Sequence, residues 1–592
     1  MDEALKEVYR LRDDEDKQAL ALESMNYAAQ ECGIDDFKEK YTRYCNEKNG
    51  KKVTKFTNQP IELLTGSWCT DDQGVRRPGR HGDEYACHHP LTLTGFVRNL
   101  ATGVEQVEIA FKRGRGNWKA IIVDRKTVAS KTHILDLSAY GVGVTSETAR
   151  LLVQYISDLE NFNFEAIPQK NSIDRCGWYD GQFIPFAENV ILDAENSFAP
   201  VLSAIKEAGD FDLWLNAARE VRKGGAAGRI ALAASFASVL VEPLQALNFF
   251  VHAWGGTGTG KTVLLMLAAS VWGNPAAGRL WATFDSTGVG SERRAGFLYS
   301  LPLLFDELQI IAERSDFDQI LYSLAEGVGR VRGSRSGGLQ QVHRWHNVIL
   351  STGEMPITSG HSGGGAVTRV LEFECTRELF PDPHGLVELI SQNHGHAGAM
   401  FVKRLQQGDG MERARALFKS YTAQLRQHDT TDKQIQSAAL ILAADALLTE
   451  WVFQDDAALT VRDLLPFLKS RKEVDSNLRA YHAIIETLVA NRYRFDGNVQ
   501  RLTNDKSEIW GAVPDGGNGL YIIIKKRFDE ICKAVPINPQ AFLSWAKQHN
   551  LLELTTKGYT KNQRFGNESL ACVWLKVTCA EEEQIADDNL PL

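Results

Sequence analysis

The spacing of hydrophobic positions changes several times along the 592-residue chain, and each change marks a predicted region. Over residues 1–50, apolar positions recur at helical spacing among charged ones, which predicts N-terminal surface helices. Residues 51–200 contain short alternating runs, such as 91–97, that predict the strands of a mixed α+β domain. Residues 201–375 combine apolar strand-like runs with helices, which predicts an α/β core.

The hydrophobic pattern changes again after this core. Residues 376–510 have mostly helical spacing and predict a helical lid and a linker. Residues 511–580 predict a strand, two helices and a β-ribbon, which is the order of a winged helix. Residues 581–592 form an acidic tail whose composition predicts disorder. Three cations on the predicted wing are either DNA contacts or ordinary loop charges: Lys557, Lys561 and Arg564.

One segment of the predicted core matches the phosphate-binding pattern G-x-x-x-x-G-K-[ST] without a gap. A strand-like run precedes it at 247–253, and a helical run follows it at 263–271. Glycines let backbone N–H groups surround phosphate oxygens, the lysine reaches the β- and γ-phosphates, and the final hydroxyl binds Mg²⁺. The predicted site for ATP and Mg²⁺ is formed by Gly255, Gly256, Thr257, Gly258, Thr259, Gly260, Lys261 and Thr262.

A second apolar run ends in Asp306 and Glu307, at the distance downstream where P-loop ATPases place their acidic motif. Asp306 is predicted to hold the Mg²⁺ shell, and Glu307 is predicted to polarise the attacking water. The next strand-like run, 347–354, has two hydroxyl residues near its end, where ATPases of this layout place a polar sensor of the γ-phosphate. Either Ser351 or Thr352 is therefore predicted to sense the γ-phosphate, and the alternative is that these hydroxyls cap a turn.

Between these two strands lies a basic, glycine-rich segment, residues 327–338. Its arginines alternate with small residues, which predicts a hairpin that grips a phosphodiester backbone. Glycines in such a hairpin let guanidinium groups approach phosphates closely. A flexible solvated loop is the alternative. The predicted DNA contacts are Arg330, Arg332 and Arg335.

Two further cations are candidates for contact with nucleotide. Arg369 follows a glycine run and precedes a strand-like run. It is predicted to be a finger toward the nucleotide of a neighbouring subunit, where it offsets charge on the γ-phosphate. A structural salt bridge is the alternative. Lys433, near the start of a predicted helix, is either a second phosphate sensor or a surface lysine.

Charge and composition bear on the cellular compartment of the protein and on its binding to nucleic acid and membranes. The formal net charge of -9 argues against nonspecific coating of nucleic acid but permits a local basic channel. The nine cysteines include no C-x-x-C pair, as expected of reduced intracellular thiols. The N-terminal residues lack a signal-peptide pattern, and the apolar run at 230–241 is too short for a membrane span. We therefore expect a cytoplasmic protein without a membrane partner.

Several motifs occur in an order that resembles one protein family. They are Cys87 followed by His89-Pro90-Leu91, then Gly177-Trp178, then the phosphate loop running into 268–275, and then Leu350-Ser351-Thr352-Gly353-Glu354. The family comprises the uncharacterised-domain replicative helicases of mobile elements, namely chromosomal cassettes, phage-satellite islands and prophages. The resemblance covers residues 60–400.

This resemblance implies an AAA+ ATPase core akin to MCM and superfamily 3 helicases. It implies a ring, usually a hexamer, that translocates on single-stranded or forked DNA and places the hairpin arginines in the DNA channel, although the hairpin lacks the expected lysine at its tip. Because the N-terminal region shows no primase-like site, priming is expected to need another protein, and the candidate partners are an initiator, a primase or a single-strand-binding protein. The implied roles are Walker A for Lys261 and Thr262, Walker B for Asp306 and Glu307, sensor 1 for Thr352 and arginine finger for Arg369.

The predicted function is ATP hydrolysis coupled to DNA unwinding during replication of a mobile genetic element. The alternative is a nucleotide-switched initiator or assembly protein that hydrolyses ATP and binds DNA through the winged helix without unwinding it. The sensor strand, the helical lid and the length of the chain disfavour a small-molecule kinase. A strand-displacement assay separates the first two functions.

Overall fold

The computed structural model of the protein describes residues 2–11, 15–34, 37–38, 40–41, 44, 52–79, 82–114, 116–284, 288–307, 314–333, 342–358, 362–496, 508–514, 519–535, 537–554, 558–565 and 568–577. The chain divides into two compact units. The first comprises Met1–Arg175 with Ile184–Glu195, and the second comprises Cys176–Phe183 with Asn196–Leu592. The predictions for Arg335, Lys557 and the acidic tail lie outside the described residues.

The first unit begins with two helices, α1 (Asp2–Arg10) and α2 (Glu15–Glu31). Their apolar side chains form a small core of their own, in which Leu5 and Val8 of α1 and Ala29 of α2 are buried. The structure therefore has helices in the segment where the helical spacing of apolar positions predicts them.

The rest of the first unit is a mixed α+β domain, as predicted. The strands β4, β5 and β6 are antiparallel neighbours in a five-stranded sheet of order β10-β7-β4-β5-β6, and β1, β2 and β3 form a separate antiparallel sheet. Apolar side chains of α4 share one core with residues of β4 and β5. The hairpin of β8 and β9 interrupts this unit in the sequence, and its residues up to Phe183 are assigned to the second unit. The elements are β1 (Cys69–Asp71), β2 (Gly74–Gly79), β3 (Gly82–Cys87), β4 (Leu91–Asn99), β5 (Glu105–Phe111), β6 (Lys119–Asp124), α3 (Arg125–Val128), α4 (Ala149–Asn163), β7 (Gln169–Ile173), β8 (Gly177–Tyr179), β9 (Gln182–Ile184) and β10 (Val190–Leu192).

The second unit contains a five-stranded sheet of order β12-β13-β14-β11-β15, in which every pairing is parallel. All residues of β13 and β14 are buried. Strands covered on both faces have continuous rather than alternating apolar sequences, which explains why these runs are readily recognised. The elements are α5 (Ala199–Leu202), α6 (Phe211–Gly224), α7 (Ala226–Ala237), β11 (Phe249–Trp254), α8 (Lys261–Ser270), β12 (Trp281–Thr283), α9 (Gly288–Leu298), β13 (Leu303–Asp306), α10 (Arg314–Glu326), β14 (Val348–Gly353), α11 (Gly364–Val367) and β15 (Val370–Glu374).

The parallel arrangement separates two edges of this sheet. The carboxyl edge carries the phosphate loop after β11, Asp306 at the end of β13 and Thr352 near the end of β14. The amino edge carries Arg369 directly before β15 and the basic segment before β14. Because β14 lies between β11 and β13, its last residues lie between the phosphate loop and the acidic motif.

Helices follow the sheet, as the spacing of apolar positions predicts. They are α12 (Pro383–Gln392), α13 (His396–Gln406), α14 (Gly410–Leu425), α15 (Asp432–Leu448), α16 (Val461–Leu464) and α17 (Arg471–Val474). The segment Asp432–Phe453, which extends α15 by a π-helical turn, is long and apolar enough to cross a membrane by length and composition alone. Of its 18-residue apolar window, 72% is buried inside the protein, as is usual for the core helix of a globular domain.

The C-terminal domain contains α18 (Ser476–Ala490), β16 (Phe495–Asp496), β17 (Gly511–Ala512), β18 (Leu520–Ile524), α19 (Lys525–Ala534), α20 (Pro539–Gln548), β19 (Lys561–Phe565) and β20 (Glu568–Lys576). Its core includes Ile484 and Leu488 of α18, so this domain starts earlier than the predicted boundary at 511. The ribbon is formed by β19 and β20. The described residues 551–554 lie beside β20 and pair with it through one antiparallel bridge, from Leu552 to Leu575.

Candidate functional site

The loop between β11 and α8 has a backbone that glycine adopts most readily. Gly255, Gly258 and Gly260 have φ angles of 146°, 84° and 91°, in the region where other residues are strained. A Cβ atom at Gly255 would lie 2.5 Å from the carbonyl oxygen of Cys375. Gly260 is the N-cap of α8 and no side chain caps that helix. The positive end of the helix is therefore left to interact with an anion.

The Lys261 side chain lies on this same loop. Its Nζ donates hydrogen bonds to the carbonyl oxygens of Gly255 and Gly256, at 2.9 and 2.7 Å. It also donates to Thr259 Oγ1 at 3.2 Å. The structure thus brings the ammonium group and the glycine-rich loop together, and phosphate binding by them stays a prediction.

Asp306 receives hydrogen bonds from two hydroxyl groups. Thr262, in the first turn of α8, donates through Oγ1 to Asp306 Oδ2 at 3.0 Å. Thr352, on β14, donates to the other carboxylate oxygen, Oδ1. The Asp306 residue is 7% exposed, so these bonds satisfy a buried acceptor. Three predicted site residues from three elements therefore meet at one carboxylate.

Of the two hydroxyls that the sequence left open, Thr352 is the one that reaches Asp306. Neighbouring side chains of a strand point to opposite faces, and Ser351 Oγ lies 2.9 Å from His252 Nδ1 on β11. The second ring nitrogen of His252 lies 3.0 Å from the carbonyl oxygen of Met355. Burial lowers the pKa of His252 to about 4. The imidazole is therefore neutral near pH 7 and joins the two central strands.

Glu307 follows Asp306 in an uncommon backbone conformation. Its φ angle is 55°, and its N–H donates to Asp306 Oδ1 at 3.1 Å. Its side chain is exposed. Non-glycine residues with positive φ cluster at functional sites, and the Glu307 backbone is tied to the Asp306 carboxylate by this hydrogen bond. Activation of water by Glu307 stays a prediction.

Glu354 is a site residue to which the sequence motif assigns no role. Thr257, in the phosphate loop, donates through Oγ1 to Glu354 Oε1 at 3.0 Å. The Gly255 N–H also donates to the carbonyl oxygen of Gly353 at 3.2 Å. These bonds connect the loop with the end of β14. An acidic residue directly after the sensor strand, at the edge that carries the loop, is the signal that could have identified it.

A cleft of about 460 Å³ lies beside the phosphate loop. One wall is the junction of α6 and α7, residues 224–228, and the other is the segment 374–381 after β15. The N–H of Leu379 donates to the carbonyl oxygen of Thr259 at 3.1 Å, so the second wall is attached to the loop. A cleft of this size has room for a nucleoside. Its walls are far apart in the sequence, and no local pattern predicts that they meet.

The basic segment before β14 is a hairpin at its base. Val328 pairs with Arg344 through an antiparallel bridge, and the Trp345 N–H donates to the carbonyl oxygen of Gly327 at 3.0 Å. The Gly329 N–H also donates to the carbonyl oxygen of His343 at 2.8 Å. The structure thus supports a hairpin whose two arms meet at the amino edge of the sheet.

Two of the predicted DNA-contact arginines interact with a carboxylate of the same chain. Arg332 Nη1 lies 2.8 Å from an oxygen of Glu292 on α9, and Arg330 Nε lies 3.9 Å from the other oxygen. The charge of the hairpin base is therefore partly neutralised within the chain. DNA contact by Arg330 and Arg332 stays a prediction, and Arg335 lies outside the described residues.

Arg369 is held by three groups of its own chain. It forms an ion pair with Glu326, donates to the carbonyl oxygen of Gly365 at 2.9 Å and lies over the Tyr322 ring at 5.4 Å. The predicted salt bridge is thus present, and the finger role stays a prediction. Burial, together with the nearby charge of Arg369, lowers the pKa of Lys433.

Two family models match the chain. A model described as a domain of unknown function, DUF927, matches residues 65–344, and one described as the Cch helix-turn-helix domain matches residues 475–579. The second match agrees with the C-terminal core, which also begins with α18. No curated protein matches the chain.

Among solved structures, the fold resembles that of "SCCmec type IV Cch - active helicase". The TM-score is 0.65 over 88% of this chain and 98% of that chain, at 18% sequence identity. This match supports, at the level of fold, the resemblance to mobile-element helicases. Two apo structures of the NrS-1 C-terminal region give TM-scores of 0.29 and 0.30 at 9% and 10% identity, over 82% of this chain and 96% of theirs. These scores are too low to indicate a shared fold.

Proposed function

We propose that this chain is an ATP-driven DNA helicase or translocase that serves the replication of a mobile genetic element and acts as a ring, with a hexamer as the expected form. The observation that carries the proposal is the cluster in which Thr262 and Thr352 both donate to the buried Asp306 carboxylate, beside a glycine-rich phosphate loop. The likeness in fold to an active helicase and the match to a helix-turn-helix domain support the DNA part of the proposal.

The donor set at Asp306 suits Mg²⁺ bound together with ATP. The Thr262 hydroxyl and the Asp306 carboxylate offer oxygen ligands whose atoms lie 3.0 Å apart. Mg²⁺ prefers oxygen ligands and is commonly held by one or two protein groups together with substrate phosphates and water. We therefore assign the Mg²⁺ site to these two residues. The ion, when bound, neutralises charge on the β- and γ-phosphates.

The remaining residues of the carboxyl edge divide the work of hydrolysis. Lys261 and the loop backbone bind phosphate oxygens. Glu307 orients a water molecule for attack on the γ-phosphorus and accepts a proton from that water. Thr352 holds Asp306 in place and acts as the sensor of the γ-phosphate. The cleft between 224–228 and 374–381 receives the nucleoside.

The position of Arg369 supports the proposed ring. The strand β15 that follows it has five residues, so Arg369 lies about 16 Å from the carboxyl edge at the rise of ~3.3 Å per residue in a parallel strand. It is therefore too far from the phosphate loop of its own chain to stabilise charge there. An arginine at the opposite edge acts on nucleotide only when a neighbouring subunit presents its loop to it.

The amino edge and the C-terminal domain supply the surfaces proposed to bind DNA. The hairpin base lies at the edge opposite to ATP, so a change of subunit arrangement on hydrolysis moves the hairpin along the strand. Lys561 and Arg564 lie on β19 of the ribbon and add positive charge to the helix-turn-helix domain. Such cations bind phosphates without reading sequence.

A strand-displacement assay with forked DNA tests the proposal. We expect ATP-dependent unwinding by the purified chain, and loss of both ATP hydrolysis and unwinding in the Lys261→Ala and Glu307→Gln variants. The Lys403→Ala variant, which changes an exposed lysine of α13, is the matched control and should retain both. ATP hydrolysis without unwinding would favour the initiator or assembly protein. Absence of ATP hydrolysis would refute the site itself.

A further inference from the structure

Glu292 is a buried carboxylate that joins three segments of the second unit. Its side chain, on α9, is 4% exposed. Ser323 of α10 donates through Oγ to Oε1 at 3.2 Å. On the hairpin, Arg332 Nη1 lies 2.8 Å from Oε2, and the Arg330 backbone N–H donates to the same oxygen at 3.4 Å. A buried carboxylate is tolerated only when partners of this kind satisfy it.

The two hairpin arginines differ in how strongly they are held. Arg332 is 31% exposed and makes a short contact with Glu292. Arg330 is 53% exposed, and its guanidinium lies 3.9 Å from the same carboxylate, near the limit of an ion pair. Loss of Arg332 would leave the buried charge of Glu292 with only the more distant guanidinium of Arg330 nearby. Reorientation of Arg330 would disturb the carboxylate much less.

The helix that carries Glu292 also packs against the other arm of the hairpin. Gly296 lies four residues after Glu292, on the same face of α9. A Cβ atom at Gly296 would lie 2.9 Å from the Cβ of His343. The His346 N–H donates to the carbonyl oxygen of Tyr299, directly after α9, at 3.0 Å. The base of the hairpin is therefore seated on α9 through both of its arms.

The N-terminal end of α9 follows, a few residues later in the sequence, the strand β12, which pairs with β13 beside Asp306. Thr283, the last residue of β12, pairs with Asp306, and the Phe284 N–H donates to the carbonyl oxygen of Asp306 at 3.0 Å. The helix α9 begins at Gly288 and is about 16 Å long at 1.5 Å per residue. It therefore connects the strand beside the acidic motif with the base of the hairpin.

We propose that Glu292 is the positioning residue of the hairpin, that Arg332 is its structural partner, and that Arg330 is the arginine of this pair that binds a DNA phosphate. The assignment of Arg330 rests on the proposed function, whereas the pairing of Glu292 with Arg332 is independent of it. A phosphate that captured Arg332 would remove the close partner of a buried charge. If a phosphate bound Arg330 instead, the hairpin would stay attached to α9 while DNA is bound.

A thermal-unfolding cycle without DNA or nucleotide tests the pairing. The full chain is compared with the Glu292→Gln, Arg332→Met and double variants. Each single substitution should lower the Tm, and the double variant should lose less than the sum of the two losses. Arg330→Met and Arg344→Met, which change exposed arginines of the same hairpin base, should leave the Tm unchanged. If Arg332→Met does not fold, Arg332→Lys provides the same cycle. Additive losses, or no loss, would overturn the pairing.

Binding of single-stranded DNA over a range of KCl concentrations tests the division of roles. Arg330→Met should weaken binding and reduce the slope of log K against log salt by about 0.7 per lost phosphate contact. Glu292→Gln should keep the slope of log K against log salt. Its main effect should be a lower maximal DNA-stimulated ATPase rate, with a smaller change in the DNA concentration that gives half-maximal stimulation. This split reports positioning, because loss of a simple phosphate contact would change mainly the DNA concentration.

The outcomes separate the inference from the proposed function. A smaller slope for Arg332→Met with an unchanged Tm would show that Arg332 binds phosphate, and would overturn the division of roles. A wild-type chain that binds no DNA would overturn the assignment of Arg330 together with the proposed function. The thermal cycle would still decide whether Glu292 and Arg332 form the pair that seats the hairpin.

Discussion

The hydroxyl of Thr352 donates a hydrogen bond to the carboxylate of Asp306 across two neighbouring parallel strands. Thr262 donates to the second oxygen of the same carboxylate. A carboxylate held on both oxygens keeps the orientation in which it is proposed to act, in the way that outer-shell partners orient metal ligands. We therefore expect catalysis to depend on the hydroxyl of Thr352, whose main partner is the side chain of Asp306.

The Thr352→Val variant tests this dependence, because valine keeps the shape of the side chain and removes the hydroxyl. A hydrogen bond to a charged group contributes about 1.5–3 kcal/mol, so kcat for ATP hydrolysis should fall about 10- to 100-fold. Steady-state ATPase rates and nucleotide binding measure the effect. The matched control is Ser351→Ala, which changes the other face of the strand and should retain kcat. Similar losses in both variants would contradict the assignment.

The sequence predicted those parts of the fold that have strong local signals. The phosphate loop and the acidic motif at the end of β13 lie where pattern and spacing place them, because a glycine-rich turn or a fully buried parallel strand has a distinctive composition. The cluster at Asp306 also follows from topology, since the ends of adjacent parallel strands share one edge. Its residues were therefore predictable as a group.

Contacts between distant segments were not predictable. Glu292 and Arg332 are separated by β13 and α10, and an isolated glutamate in a helix is ordinarily a surface residue. The walls of the cleft beside the phosphate loop are likewise remote from each other in the sequence. The domain boundary at 511 was set by a polar stretch, whereas burial of Ile484 places α18 in the C-terminal core. Such features depend on packing rather than on local pattern.

The buried ion pair of Arg222 with Asp445 predicts a large effect on stability. Both side chains are 0% exposed, and they join α6 to α15. Arg222→Met leaves the aspartate charge buried without its partner, which costs about 3–5 kcal/mol in the free energy of unfolding. Urea unfolding measures the loss, and Lys223→Met, at an exposed neighbouring position, is the control. An equally small effect of both substitutions would contradict this account.

His252 predicts a loss of stability at acid pH. Burial lowers its pKa to about 4 in the folded chain, against about 6.5 in the unfolded chain. The unfolded state therefore binds more protons between these values, and the free energy of unfolding falls as the pH falls from about 6.5 to about 4, by about 3 kcal/mol in full. Tm measured from pH 7.5 to pH 4.5 should fall less steeply in His252→Gln. Parallel profiles would contradict the prediction.

A mixing experiment tests whether Arg369 acts across a subunit boundary. Lys261→Ala disables the phosphate loop of a subunit, and Arg369→Ala removes the arginine that the subunit offers to its neighbour. Each variant alone should be inactive, whereas an equimolar mixture should regain activity, because about a quarter of the interfaces in a randomly assembled ring combine an intact loop with an intact arginine. Recovery of ATPase activity on mixing is the expected result. If Arg369 served only its pair with Glu326, the arginine variant would keep its activity and mixing would add nothing.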